Sequence, residues 1–421
     1  MIQRDDRITR MIFRIKNIIK QYPRQFWLVT LVMLLAWLFH SLMWYYLMLY
    51  ISQRMGQPLS SVSGLMAVNA VTGMVTTFLG GAIADKFGRK GVMVFSLLFC
   101  GVGWFFFRVA GTLPIYALLM AVTGATTPLY RLASDSMVSD LVPLEQRLDA
   151  YSMLRMGNNI GVAIGPAIGG YLASISYNIS FTVIGIGLVS LSVVGAFLFR
   201  ETKPADVSNN QGRKAMLGGY SSIFKDRVFM KILIAFSLIR IGTSILWLML
   251  AAYTKQNFGL SENVFGFIPT TNALMVIFMQ MMVTRRTSRL KPESAMVLGA
   301  LFYAVSIFGI FFANGFWGFW ICMVGSTIGE MILLPTTTTY TSRLAPPDMR
   351  ARYMSLYTLT TGIGSGLGPL LGGIMADIFG ARSMWFAAGM VEMIGFFVFL
   401  LVALQQRRME KMDPVRTAGE V

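Results

Sequence analysis

The chain has 421 residues, 55% of them hydrophobic and 13% charged, with a mean hydropathy of +0.62. No water-soluble domain hides that much apolar surface, so the composition excludes a soluble enzyme or binding module and implies a polytopic membrane protein. The net charge of +17 invites a nucleic-acid reading, which the placement of the charges removes.

Twelve apolar stretches have spanning length: 26–50, 60–84, 92–110, 114–139, 148–173, 178–199, 228–254, 263–284, 294–313, 315–341, 352–376 and 383–404. A hydrocarbon core admits such segments as helices, which close their own backbone hydrogen bonds. Of the 36 Lys and Arg, 29 fall in the tails and loops of one side. Four (Arg54, Arg108, Lys255, Arg382) fall on the other side, and three (Arg131, Arg155, Arg240) lie inside helices. The positive-inside rule then places both termini and the central loop in the cytoplasm. The predicted organisation is a cytoplasmic tail over 1–25, a six-helix bundle over 26–200, a cytoplasmic linker over 201–227, a second six-helix bundle over 228–404 and a tail over 405–421. The linker is polar and flexible by composition.

Residues Arg10 to Lys20 mix basic and apolar positions and read as an amphipathic helix on the inner leaflet. A full-length span follows with no small-residue cleavage site, so no cleavable signal is expected. The first span carries His40, the single histidine. It is either a packing residue or a substrate or proton contact, because ionisable groups inside a membrane are functional candidates. Trp44, Tyr45 and Tyr46 nearby suit a pocket wall or the outer aromatic belt. Cys100 and Cys322 sit in apolar segments with no disulfide or metal-site spacing.

Between the second and third spans runs Gly80-Gly81-Ala-Ile-Ala-Asp85-Lys86-Phe-Gly88-Arg89-Lys90. Gly88 can supply a positive φ for a tight turn. Asp85, Lys86, Arg89 and Lys90 can pair with one another or with helix ends. The string resembles the loop 2–3 motif (motif A) of the major facilitator superfamily of secondary transporters. In the fourth span Arg131 and Asp135 share a helix face at i,i+4 spacing. At ~1.5 Å per residue Arg131 lies about 13 Å, and Arg155 of the next span about 10 Å, from the inner surface. The three either form a packing network or take part in coupling. The family's motif B arginine, expected four residues before Gly124, is Met120 here.

The fifth span places Gly161, Gly165, Gly169 and Gly170 around Pro166. Small residues four apart let helices approach closely, and the proline favours a kink. This resembles motif C of the family's antiporters. The pattern recurs. Leu141 to Arg147 is matched by Leu344 to Arg350, and Gly165-Pro166 with Gly169-Gly170 by Gly368-Pro369 with Gly372-Gly373. The offset, 350 − 147 or 368 − 165, is 203 residues each time. An offset near half the length implies a duplication, two six-helix halves in parallel orientation about an axis along the membrane normal.

The second half holds three charges far from any loop. By rise per residue Arg240 is about 18 Å from the inner surface, Glu392 about 14 Å and Glu330 about 21 Å from the outer one. Arg240 can neutralise one acid, most simply Glu392, which leaves Glu330 as the free carboxyl. A carboxyl taken out of water favours its protonated form, so such a group can hold a proton and release it when a cation arrives. Glu330 followed by Pro335 resembles the tenth-helix acid and proline of some proton-coupled multidrug exporters.

The fold class expected is therefore all-α, with twelve transmembrane helices in two parallel six-helix repeats. The resemblance implies a monomeric transporter of the inner membrane that works by alternating access, driven by the proton gradient without a cofactor. Asp85 and Arg89 would latch the cytoplasmic side, and the small-residue helices would slide between the halves. Motif C favours efflux of lipophilic or cationic small molecules. A lipid or lysolipid flippase and a small-solute symporter on the same scaffold are the alternatives. One histidine, no zinc spacing, no phosphate-binding Gly-x4-Gly-Lys and no Gly-x-Ser-x-Gly leave nothing for an enzyme.

Overall fold

The computed structural model describes residues 21–203, 223–346 and 349–412. The segment Arg10 to Lys20, most of the linker and the end of the C-terminal tail lie outside them. The described chain forms α1 (Arg24–Trp44), α2 (Leu47–Met55), α3 (Leu59–Phe87), α4 (Arg89–Phe106), α5 (Leu113–Leu141), α6 (Arg147–Ile175) and α7 (Tyr177–Leu198). The second half contributes α8 (Arg227–Phe258), α9 (Glu262–Phe265), α10 (Phe267–Thr287), α11 (Pro292–Ile310), α12 (Gly315–Leu344), α13 (Arg350–Phe379) and α14 (Ser383–Met412).

Each apolar stretch is a helix, and many run past the predicted ends because a helix continues into the headgroup layer while its polar residues are solvated. The first span breaks at Tyr45 and Tyr46 and resumes as α2. Eleven spans of the described residues are long and apolar enough to cross a membrane. The remaining long helix, α6, falls short in hydropathy because it carries Arg155, Asn158 and Asn159.

The duplication is visible in the packing. In the first half α1 packs on α6, α3 on α5, and α4 on α5 and α7. In the second half α8 packs on α13, α10 on α12, and α11 on α12 and α14. The same atoms hold corresponding pairs together. Ser41 Oγ donates to the Gly161 carbonyl at 3.3 Å, and Ser244 Oγ to the Gly364 carbonyl at 2.5 Å. Both pairs are related by the 203-residue offset. The halves meet where α3 lies on α13 and α6 on α10, contacts that exchange with each other when the halves are exchanged. This is twofold pseudosymmetry about an axis between the halves.

The helices that carry the small residues, α6 and α13, lie where the halves meet, but most of the motif C glycines face within one half. A Cβ on Gly161 would meet the backbone of Leu34 and Leu38, one on Gly165 would meet Ser41, and one on Gly169 would meet Leu42. They seat α6 on α1 within one half, and Gly368 and Gly372, with Gly373 buried beside them, seat α13 on α8 in the same way. Gly170 alone of the set faces across, toward Glu262 and Tyr46. A run of small residues encodes close approach, but not which neighbour approaches.

Candidate functional site

Between the halves lies a cavity of about 460 Å³. Its wall carries Trp37, Trp44 and Tyr45 of the first span, Asn159 of α6, Arg240 and Trp247 of α8, Asn272 of α10 and Glu330 of α12. The cavity is closed on the outer side. The Tyr46 hydroxyl lies 3.1 Å from both the Pro166 and the Glu262 carbonyl oxygens. The Tyr177 hydroxyl donates to Glu262 Oε1 at 2.7 Å, and Lys255 Nζ to Oε2 at 3.0 Å. Glu262 thus ties both halves together through a side chain only 8% exposed. The halves are tied together at the end away from the basic loops. Toward the basic-loop end of α6, Asn159 of the cavity wall and Arg155 one turn before it are exposed, and Met156 is 58% exposed.

Glu330 is not a free carboxyl. Asn272 Nδ2 donates to Glu330 Oε2 at 2.8 Å and to Thr327 Oγ1 at 2.9 Å, which bridges α10 to α12 and points the acid at the cavity. Asn272 is buried, and amides in such settings need their partners. Glu392 is fully buried inside the second half, and neither of its oxygens has a hydrogen-bond partner. The expected Arg240–Glu392 ion pair is absent among the described residues, and Arg240 Nε is itself unpartnered. The reason is direction: Arg240 lines the cavity, while Glu392 points into the bundle against Gly242.

His40 stands behind the cavity wall, stacked on Trp44 at 5.0 Å and edge-on to Trp37 and Trp104, with Nδ1 unpartnered. Arg131 and Arg155 both act on Asp135 through space, yet no ion pair among the described residues joins them. The Asp135 carbonyl accepts from the Tyr151 hydroxyl at 2.9 Å instead.

The motif A residues form a compact network at the inner end of the first half. Arg89 bonds Asp85 at 3.0 Å and Asp140 of α5 at 3.2 Å, with its side chain only 10% exposed. Gly88 turns the chain at φ 83°, and no residue of the turn caps α4. Glu201, just past α7, does so: its carboxylate accepts from the backbone N–H of Arg89 at 2.9 Å and of Lys90 at 3.2 Å. A Cβ on Gly88 would strike that carboxylate. Burial pushes the Glu201 carboxyl up, but four backbone donors (Lys203, Arg89, Thr202, Lys90) outweigh it and hold it below the usual range. Gly81 is exposed with open space beside it.

Asn272, Glu201, Asp140, Glu262 and the tryptophans Trp37 and Trp247 were not singled out from the sequence. One signal existed for Asn272: it stands 203 residues after Asn69, whose Nδ2 likewise bridges two helices, to the Met120 carbonyl at 3.0 Å and Thr123 Oγ1 at 3.2 Å.

Known proteins agree with this architecture. The quinolone resistance protein NorA of Staphylococcus aureus is 22% identical, over 84% of this chain and 90% of its own length. A Na(+), Li(+), K(+)/H(+) antiporter of Planococcus maritimus is 26% identical, over 77% and 83%. The crystal structure of a bacterial homolog of the human lysosomal transporter Spinster superposes with a TM-score of 0.77 at 14% identity, covering 90% of this chain and 96% of that one. The family model of the Major Facilitator Superfamily matches twice, over residues 27–241 and 232–418, once for each half. This membrane-spanning chain, which is a transporter and not an enzyme, belongs to that superfamily.

Proposed function

We propose that the protein exports lipophilic organic cations in exchange for protons, by alternating access of the cavity between its halves. One observation carries the reading: a single acidic side chain, Glu330, faces a cavity of about 460 Å³ walled by Trp37, Trp44, Tyr45 and Trp247. That volume suits a drug-sized ligand. Aromatic faces attract a desolvated cation, and the carboxylate fixes its charge. Binding of the cation at Glu330 and uptake of the proton then exclude one another, which couples the two flows. The antiporter and the quinolone resistance protein among the relatives favour exchange and efflux respectively. Asp85 and Arg89 hold the inner end when the outer end opens. The basic loops favour an inner-membrane orientation with both termini cytoplasmic, and since one chain completes the cavity, a monomer suffices.

Purified protein in vesicles tests this. A pH gradient, acidic on the side away from the basic loops, should drive accumulation of tetraphenylphosphonium, and Glu330→Gln should abolish it. Gradient-independent movement of the cation, or movement of labelled lipids in its place, sinks the proposal.

A further inference from the structure

The proposed exchange leaves Glu392 without a task, although it is the costliest side chain in the second half. It is fully buried, neither oxygen has a partner, and Gly242 opposite has no room for a Cβ against its carboxyl. A carboxylate cannot stand unpaired in such a place, so in this state the group is the neutral acid. The fold does not require it. Gly185 of α7 and Gly389 of α14 pack on the corresponding residues Phe105 and Phe308, which aligns Glu392 with Leu188 of the first half. Leu188 is equally buried and purely apolar. An acid where packing is content with leucine points to a use.

Every charged or titratable group around it bears on that use. Arg240 of α8 is two residues from Gly242, which packs against the Glu392 carboxyl, and no bond joins Arg240 to that carboxyl. Tyr303 of α11 packs on Gly329, next to Glu330, and Tyr357 of α13 stacks on Phe236 of α8, one turn before Arg240. Arg240 shares the cavity lining with Glu330, and among the described residues no ion pair joins it to either acid.

We infer that Glu392 is the proton-binding site of the exchange, and that Arg240 is the counter-ion that moves between Glu330 and Glu392. The inference rests on the proposed cation exchange and adds the atom that holds the proton. In the inner-open, empty state Arg240 balances the Glu330 carboxylate, and Glu392 carries its proton. A substrate cation that docks on Glu330 displaces the guanidinium. Arg240 turns back to Glu392, stabilises its carboxylate, and the O–H bond of Glu392 breaks to release the proton to the cavity. The cluster is neutral before and after, so no charge is left unpaired in the membrane at any stage. When the cation departs on the outer side, Arg240 returns to Glu330 and Glu392 takes up a proton there.

The test measures proton release on binding, with tetraphenylphosphonium added to purified protein in weakly buffered solution with a pH indicator. Native protein should release about one proton per bound cation, as neutrality of the cluster requires. Glu392→Gln should bind the cation more weakly than native protein, because the displaced Arg240 has no carboxylate to turn to, release no proton on binding at saturating cation, and carry out cation exchange in vesicles without accumulation on a pH gradient. Cation binding also shows that the variant is folded. Glu392→Asp, which keeps the acid but shortens its reach, should shift the pH at which release is half-maximal. Native-like release from Glu392→Gln, or an unshifted profile in Glu392→Asp, overturns the inference and returns the proton to Glu330, while the proposed exchange stands. If native protein neither releases protons nor responds to a pH gradient, the exchange itself falls.

Discussion

The two halves share a scaffold but not a chemistry. Along the 203-residue offset, Arg240 corresponds to Trp37, Tyr303 to Cys100 and Glu330 to Thr127, while Asn272 corresponds to Asn69. The helix-seating serines and glycines are kept in both copies. Duplication preserved what brings helices together and let the cavity-facing positions diverge. In the cavity wall the first half supplies Trp37, Trp44 and Tyr45, while the second supplies Trp247 and the cavity's arginine and acid, Arg240 and Glu330. Keeping arginine and both acids within one half means their mutual geometry survives when the halves rock, since a rigid bundle moves as a unit. A charge pair split across the halves would break at every cycle.

The sharpest way to break that comparison is to remove the cavity's acid from the second half. Glu330→Gln leaves a substrate cation without its counter-charge, a loss of about 2–5 kcal/mol, or roughly thirtyfold and more in affinity. Thr127→Val, at the matching position of the first half, should leave cation affinity near native, as read by fluorescence titration. Equal losses in both would mean that the halves share the charge recognition.

The amides come next. Asn272→Ala frees Glu330 from its hydrogen bond and should weaken cation binding about tenfold, a loss near the 1.5–3 kcal/mol of a hydrogen bond to a charged group. Asn69→Ala should cost stability alone, about 1 kcal/mol, with transport retained. Of the wall aromatics, Trp37→Ala in the first half and Trp247→Ala in the second should each weaken binding of an organic cation by about 1–2 kcal/mol, fivefold to thirtyfold. Both should spare an uncharged dye of similar size.

How much of this was legible beforehand differs between scaffold and site. Periodic apolar stretches and one repeated offset encode span number, pairing and pseudosymmetry, because burial in lipid and backbone closure leave helices no alternative. The break at Tyr45 and Tyr46 left no trace, since both residues are as apolar and aromatic as their surroundings. The Arg240–Glu392 pairing was misjudged because depth along a helix was countable while rotation about its axis was not. Two groups at one depth can point to different compartments. Glu201 escaped notice because it sits where the chain reads as linker, although its carboxylate caps α4 across more than a hundred residues.

That cap gives a pH dependence with a definite sign. The folded Glu201 carboxyl is held below its ordinary value, so its stabilising contribution is fully present above the unfolded value near 4.5 and fades as pH falls through the lower folded value. The thermal midpoint of the native protein should decline more steeply below about pH 4.5 than that of Glu201→Gln. The two curves should run parallel above it. At the matching turn after α10, Lys291 and Pro292 replace Gly88 and Arg89 and no side-chain cap is found among the described residues, so a Glu293→Gln control should not reproduce the effect.

The smallest effect is also the cleanest test of shared scaffold against divergent surface. Ser41→Ala and Ser244→Ala each remove one hydroxyl-to-carbonyl bond between equivalent helix pairs, to Gly161 and to Gly364. Bonds of this kind in membrane bundles are worth about 0.6 kcal/mol, so both substitutions should lower the unfolding midpoint slightly and by similar amounts. Function should separate them. Ser244 also lines the cavity, whereas Ser41 does not, so Ser244→Ala alone should change the affinity for a polar cation. Equal stability with unequal binding is what a duplicated frame carrying one specialised face must show; unequal stability would mean that the frame has diverged as well.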